Sequence, residues 1–140
     1  MPSKIDKFFQ HLILCFENGN LIEIANKFSV PTPIYLEGRL VVLKTVQKLE
    51  DAISTYRNSL LVAGWARSTV RVIAQSIIDD KQMSVWVESA HLDASNHVLS
   101  VSTVRYYCIV RNGYVSKIEI AEYLQAPSGC MTKVFPMVSA

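Results

Sequence analysis

Four β-rich runs separated by turn signals fill the second half of the chain and constrain its fold more than any other feature. The runs predict strands over roughly 67–78, 83–92, 97–110 and 114–124. Asn112-Gly113 lies between the last two runs, and Asn-Gly in that position is the strongest short-range signal for a β-hairpin. Short turns at 79–81 and 93–96 connect the other runs, so we predict an antiparallel sheet.

The first half of the chain predicts three helices and a short hairpin. Ser3 can cap a first helix, whose apolar residues recur at helical spacing until Asn18-Gly19 ends it. A short second helix follows from Leu21 and stops before Pro31. Residues 34–42 read as two short strands around a Glu37-Gly38 turn, and a third helix runs from a Thr45 cap to Gly64. This order predicts an α+β fold with helices on one face of the sheet.

Composition excludes several classes of protein. Half of the 140 residues are hydrophobic and 19% are charged, which argues against a disordered chain and fits one domain. The net charge of +2, without a basic stripe, predicts no nucleic-acid partner. No apolar run reaches the roughly 18 residues that a membrane helix needs, so no membrane partner is expected.

The cysteines and histidines predict neither a disulfide framework nor a metal site. Cys15, Cys108 and Cys130 are odd in number and widely spaced, which favours reduced thiols in a cytoplasmic protein. His91 and His97 flank one hairpin but should point to opposite faces, whereas metal ligands must converge. We therefore expect no metal and no cofactor.

Turn positions fix the register of the sheet and divide its side chains between two faces. One predicted face carries Arg71, Ile73, Trp86, Glu88, Arg105, Tyr107, Ile118, Ile120 and Glu122, and the other carries Val72, Ala74, Val85, Val87, Ser89, His91, Val104, Tyr106 and Cys108. The first face has more bulk, so we expect it to meet the helices. The second is too apolar to be wholly hydrated, so we expect a homodimer through this outer face.

Charges on a helix-covered face are costly unless they are paired or face a wet cavity. Arg71 lies diagonal to Glu88 and Arg105 diagonal to Glu122 in the predicted register, which favours a pocket; two ion pairs at the sheet rim are the alternative. The predicted pocket-lining residues are Tyr35, Tyr56, Trp86, Glu88, Arg105, Tyr107 and Glu122. Glu88 is a candidate acid or base if buried, and pairing with Arg71 is its competing role. Tyr35 and Tyr56 equally fit plain core packing.

Two sequence segments resemble segments of a known protein family. Phe16-Glu17-Asn18-Gly19-Asn20-Leu21 between the first helices, and Arg111-Asn112-Gly113-Tyr114-Val115 leading into Ile118-Glu119-Ile120, resemble the nuclear transport factor 2-like superfamily over roughly residues 4–124. The resemblance implies three N-terminal helices packed in the concave face of a strongly curved antiparallel sheet, a cystatin-like cone with a cavity at its open end. It also implies one domain over 1–124, an irregular apolar tail over 125–140, and dimerisation through the sheet.

The superfamily includes ketosteroid isomerases, SnoaL-like cyclases, dehydratases and many members without known activity. The catalytic residues of the ketosteroid isomerases are mostly not matched in this sequence. The position of the catalytic base in the family corresponds to Leu36 here, with Glu37 next to it. The position of the tyrosine donor on the first helix corresponds to Ile13, and the position of the carboxylic acid donor lies near Tyr107. Three functions stay open: a non-catalytic binder of a small, apolar or amphipathic molecule, a cofactor-free SnoaL-like cyclase, dehydratase or isomerase with Glu88 or Glu37 as base, and a dimeric adaptor whose cavity is filled by its own side chains.

Overall fold

The structure, a computed structural model, describes residues 3–125. Its helices are α1 (Lys4–Asn18), α2 (Leu21–Ala25) and α3 (Val46–Val62). Its strands are β1 (Thr32–Leu36), β2 (Arg39–Leu43), β3 (Trp65–Ile77), β4 (Gln82–Asp93), β5 (Val98–Arg111) and β6 (Tyr114–Gln125). Most of the predicted tail lies outside the described residues, and no helix within them is long and apolar enough to cross a membrane.

Local capping explains where the helices begin and end. The Ser3 side chain accepts a hydrogen bond from the Asp6 amide at 3.1 Å, and the Asp6 carboxylate accepts one from the Ser3 amide at 3.0 Å, which forms a capping box at α1. Gly19 ends α1 with a φ of 77°, a left-handed conformation that favours glycine. Thr45 caps α3 by accepting from the Lys48 amide at 3.1 Å.

The six strands form one sheet in the order β2-β1-β6-β5-β4-β3. Every pairing is antiparallel except that between β1 and β6, which is parallel. The predicted hairpin is present: Asn112 and Gly113 have φ values of 54° and 78°, and Arg111 pairs with Tyr114. Register shifts in the β3–β4, β4–β5 and β5–β6 pairings interrupt the ladder, and such bulges bend a sheet. The sheet curves around the helices, as the cone expectation requires.

The predicted assignment of the sheet faces is wrong, because the two faces are exchanged. The face that packs against the helices, called the inner face, includes Val85, Val87, Val104, Cys108 and Ile118. Trp86, Glu88, Arg105, Tyr107 and Glu122 alternate with those strand residues and lie on the opposite, outer face. Alternation separates the two sets of side chains but does not show which set faces the helices. The prediction chose the set with the larger side chains, and that choice was wrong.

A register shift explains the exception among the inner residues. Ile118 was predicted to share a face with Tyr107, yet it is fully buried among inner residues. The pairing slips between Tyr107 and Cys108, so that Cys108, instead of Tyr107, lies opposite Ile118. The register shift moves Ile118 to the inner face. The turn residues in the sequence do not predict this shift.

Candidate functional site

A cavity of about 170 Å³ lies between the helices and the inner face of the sheet. Aliphatic and phenylalanine side chains from α1, α3 and the strands form most of its wall. Its polar groups are those of Tyr56, Ser89, His91, Ser102, Tyr106 and Tyr123. None of the described residues that line it is Asp, Glu, Lys or Arg, so the site is an apolar chamber with a few uncharged donors and acceptors.

His91 is held in one orientation by a hydrogen-bonded chain. Its Nδ1 atom lies 2.6 Å from the Ser68 hydroxyl, which also accepts a hydrogen bond from the Trp65 indole at 2.9 Å. The indole N–H can only donate, so Ser68 accepts from Trp65 through its oxygen. Its hydroxyl proton is then available for donation to Nδ1 of His91. We assign the ring proton to Nε2, and the His91 side chain lines the cavity.

Aromatic rings surround the imidazole and fix its plane. The Phe16 ring centroid lies 5.2 Å from that of His91, while Tyr56 and Trp65 approach edge-on at 5.7 and 6.1 Å. The Tyr56 hydroxyl shares a hydrogen bond of 3.0 Å with the Ser100 hydroxyl, which anchors the tyrosine from the sheet side. These contacts preorganise the polar end of the cavity before any ligand arrives.

Burial keeps the titratable groups of the cavity neutral. Burial lowers the pKa of His91 to about 4 from its ordinary 6.5. Burial raises the pKa of Tyr56 to about 12, and the pKa values of Tyr106 and Tyr123 are also raised, first by burial and then by neighbouring ionisable groups. The site therefore carries no charge near neutral pH.

Of the pocket-lining residues predicted from sequence, Tyr56 alone lines this cavity. Tyr35 is 45% exposed on β1, and Glu37 is exposed in the β1–β2 turn. The structure places Trp86, Glu88, Arg105, Tyr107 and Glu122 on the outer face, away from the helices. These residues therefore form no chamber with Tyr56.

The outer-face charges have partners, as the ion-pair alternative expected. Arg71 and Glu88 lie 3.3 Å apart, and Arg105 and Glu122 lie 3.8 Å apart. The Arg105 guanidinium also contacts the ring of Trp86 at 4.8 Å. Glu88 is thus an ion-pair partner on the outer face, with its side chain 41% exposed.

No family model and no curated protein matches this sequence. Solved structures do match its fold. A domain of unknown function with a cystatin-like fold from Nostoc punctiforme superposes with a TM-score of 0.65 at 14% identity, over 92% of this chain and 78% of that one. An NTF-2 like protein of unknown function from Shewanella oneidensis gives 0.61 at 6% identity, over 84% and 93%. The chain has the nuclear transport factor 2-like fold.

ActVI-ORFA from Streptomyces coelicolor shares this nuclear transport factor 2-like fold, with a TM-score of 0.63 at 10% identity over 85% of this chain and 90% of that one. The superpositions establish the fold, and identities this low leave function to the residues of this chain. The fold that the resemblance implied is confirmed.

Sequence reasoning missed most of the polar cavity residues because it placed them on the outer face. The available signal was the alternating series Val85, Val87, Ser89 and His91, in which an apolar strand face turns polar towards one end. The cavity also holds a single histidine and no thiol or carboxylate among its described lining, so it offers no metal ligand set. A cluster of His11, Cys15 and Glu23 lies outside the cavity, where α1 meets α2.

Proposed function

We propose that this protein binds a small, uncharged, mostly apolar molecule in the inner cavity and does so without catalysis. The observation that carries the proposal is the apolar chamber of about 170 Å³ with the neutral His91 side chain at its polar end. A cavity of about 150 Å³ lined by apolar side chains accommodates one benzene ring. The ligand is therefore of single-ring size, smaller than the molecules that fill pockets of roughly 300–1,000 Å³.

The chemistry of the lining selects the ligand class. An Nε2–H group on His91 complements a carbonyl or ether oxygen, while the surrounding apolar wall complements a hydrocarbon ring. A carboxylate or ammonium group would lose its hydration and find no opposite charge among the described lining residues. The proposal therefore predicts the order acetophenone, then ethylbenzene, then benzoate, from tightest to weakest.

Ligand titrations followed by two-dimensional amide NMR test this order. Ser89→Leu places a larger side chain in the cavity and should abolish acetophenone binding. Ala90→Leu is the matched control, because Ala90 is the next residue of β4 and points to the outer face. Binding of none of the three probes, or equal loss in both variants, would refute the proposal.

A second variant tests the role of the imidazole. His91→Phe keeps a ring of similar size and removes the Nε2–H donor. Acetophenone should then lose its advantage over ethylbenzene, a loss of about tenfold in affinity for one hydrogen bond. An unchanged preference would contradict the assigned contact, even if both compounds still bind.

The two alternative functions receive less support. A cofactor-free cyclase, dehydratase or isomerase needs a base, but neither Glu88 nor Glu37 lines the cavity, and the low pKa of His91 makes it a weak base. An adaptor filled by its own side chains would have no such chamber. Turnover of a carbonyl compound that Ser89→Leu abolishes would favour the enzyme over the binder.

The face through which the sequence predicted a dimer packs against the helices, so we propose a homodimer through the opposite face, which carries Trp86 and Tyr107. Trp86 and Tyr107 are large, half-buried aromatic side chains on this face, an apolar contribution that a second copy would cover. Sedimentation velocity should detect a dimer that Tyr107→Lys weakens; a monomer at working concentration contradicts the proposal. The reduced, buried thiols of Cys15 and Cys108 support a cytoplasmic location as part of the same proposal.

A further inference from the structure

The contact between α1 and α2 brings together three side chains that bind metals. His11 and Cys15 are four residues apart on α1 and share one side of that helix, and Glu23 lies on α2. One donor atom from each side chain lies within 4.8 Å of the other two. The sequence shows only the His-x-x-x-Cys spacing. Glu23 comes close to these residues only because the turn between α1 and α2 brings the two helices together.

The distance between the cysteine and histidine ligand atoms fits a tetrahedral ion of zinc size, and the distance between the histidine and glutamate atoms is somewhat shorter. Around such an ion, with bonds of about 2.3 Å to sulfur and about 2.0 Å to nitrogen or oxygen, two ligand atoms lie roughly 3.3–3.6 Å apart. Cys15 Sγ is 3.5 Å from His11 Nε2. His11 Nε2 and Glu23 Oε1 are closer, at 2.7 Å, because they share a hydrogen bond. An ion would displace that proton, and the pair would need to separate by less than about 1 Å.

The surroundings hold the carboxylate and leave a path for the ion. The Asn20 side chain donates to Glu23 Oε2 at 2.7 Å and thereby directs Oε1 towards His11. The His11 and Glu23 side chains are 50% and 39% exposed, so the cluster is open to solvent on one side, while Cys15 is buried behind them. An open side supplies both entry and a water ligand.

We propose that His11 Nε2, Cys15 Sγ and Glu23 Oε1 bind one Zn²⁺ ion, with water in the fourth position, and that the ion clamps α1 to α2. A mixed sulfur, nitrogen and oxygen set with tetrahedral spacing suits zinc better than magnesium or calcium, which prefer oxygen alone. Lys27 is the positive charge that faces the cluster, and it opposes the ion.

Binding must release a proton from the cluster. Burial, with a further contribution from the Glu23 charge, raises the pKa of the Cys15 thiol, so the thiol is protonated before the metal arrives. The His11 hydrogen bond lowers the pKa of Glu23, whose carboxylate is already ionised. Zinc binds the thiolate, so its binding releases the Cys15 thiol proton to solvent.

The competing explanation is a plain His11–Glu23 ion pair between the two helices. Cobalt titration separates the two, because a Co²⁺–thiolate bond gives a charge-transfer absorption that an ion pair cannot give. The experiment uses the untagged full chain with Cys130→Ser, kept reduced, so that Cys15 and Cys108 are its only thiols. We expect a thiolate–cobalt band that saturates at one ion per chain and is displaced by Zn²⁺.

Matched variants identify the ligands. Cys15→Ser should abolish the band, and His11→Gln should weaken zinc binding by about tenfold or more. Cys108→Ser, at a second buried thiol, and His97→Gln, at an exposed histidine paired with a carboxylate, should leave both unchanged. His11 is exposed, so its variant remains folded even if Cys15→Ser does not. Absence of the band, or zinc binding that survives His11→Gln unchanged, would overturn the proposal.

Discussion

Acidification should destabilise this protein through the single buried histidine. The pKa of His91 falls from its ordinary 6.5 to about 4 in the folded chain because the ring is 5% exposed and surrounded by aromatic side chains. The unfolded chain therefore binds more protons than the folded chain between those values, and stability rises with pH in that window. The full difference of about 2.5 pKa units corresponds to about 3 kcal/mol.

Most of this loss of stability occurs in a pH range in which the protein can be studied. Between about pH 7 and about pH 5, one site with these two pKa values changes the free energy of unfolding by about 2 kcal/mol. Glu23 and Asp93 also have lowered pKa values, each chiefly through a hydrogen bond with His11 or His97. Their ordinary values of 4.5 and 3.8 place their effects below this range. The range from about pH 7 to about pH 5 therefore isolates His91.

Urea denaturation at several pH values measures the effect. The wild-type chain should lose about 2 kcal/mol of unfolding free energy from about pH 7 to about pH 5. His91→Phe should be nearly insensitive to pH over that range, whatever its stability at pH 7, and His97→Gln should retain the wild-type slope. A flat wild-type profile, or an equal slope in His91→Phe, would refute the assignment of a buried neutral imidazole.

Three stability predictions follow from the packing. Leu60→Ala, at a fully buried position, should cost about 2–5 kcal/mol in chemical denaturation, whereas Val62→Ala, 91% exposed, should change stability by less than about 0.5 kcal/mol. Arg57→Ala removes two hydrogen bonds of 2.7 and 2.9 Å to the last carbonyls of α1 and should cost about 1–3 kcal/mol; full recovery in Arg57→Lys would argue against the bidentate contact. Thr45→Ala should cost about 1 kcal/mol and Thr45→Ser far less, and equal losses in the two would exclude capping by the hydroxyl.

Elements governed by neighbours in sequence were predictable. The Ser3 and Thr45 caps, the Gly19 stop and the Asn112-Gly113 turn all appear where the sequence placed them. Each depends on contacts within four residues, so the relevant physics is contained in a short window. The parallel pairing of β1 with β6 was not predicted, because it joins segments far apart in the chain.

The sheet faces illustrate the limit of pattern reasoning. Alternation correctly kept Trp86, Glu88 and Arg105 on one face, since those residues pair or alternate as expected. It could not rank the faces, because both contain large apolar side chains and both contain polar ones. Burial then depended on which face the helices cover, and the cavity residues changed with it.

The sequence by itself determined the α+β class, the order of helices and strands, and most of the alternation of side chains along each strand, because propensity, capping and turn geometry act over a few residues. Only the tertiary structure decided that Val85, His91 and Tyr106 face the helices, and that Glu23 meets His11 and Cys15. Those outcomes depend on bulges, sheet curvature and helix docking, which balance contributions from segments distant in the chain. No local window of the sequence contains that balance.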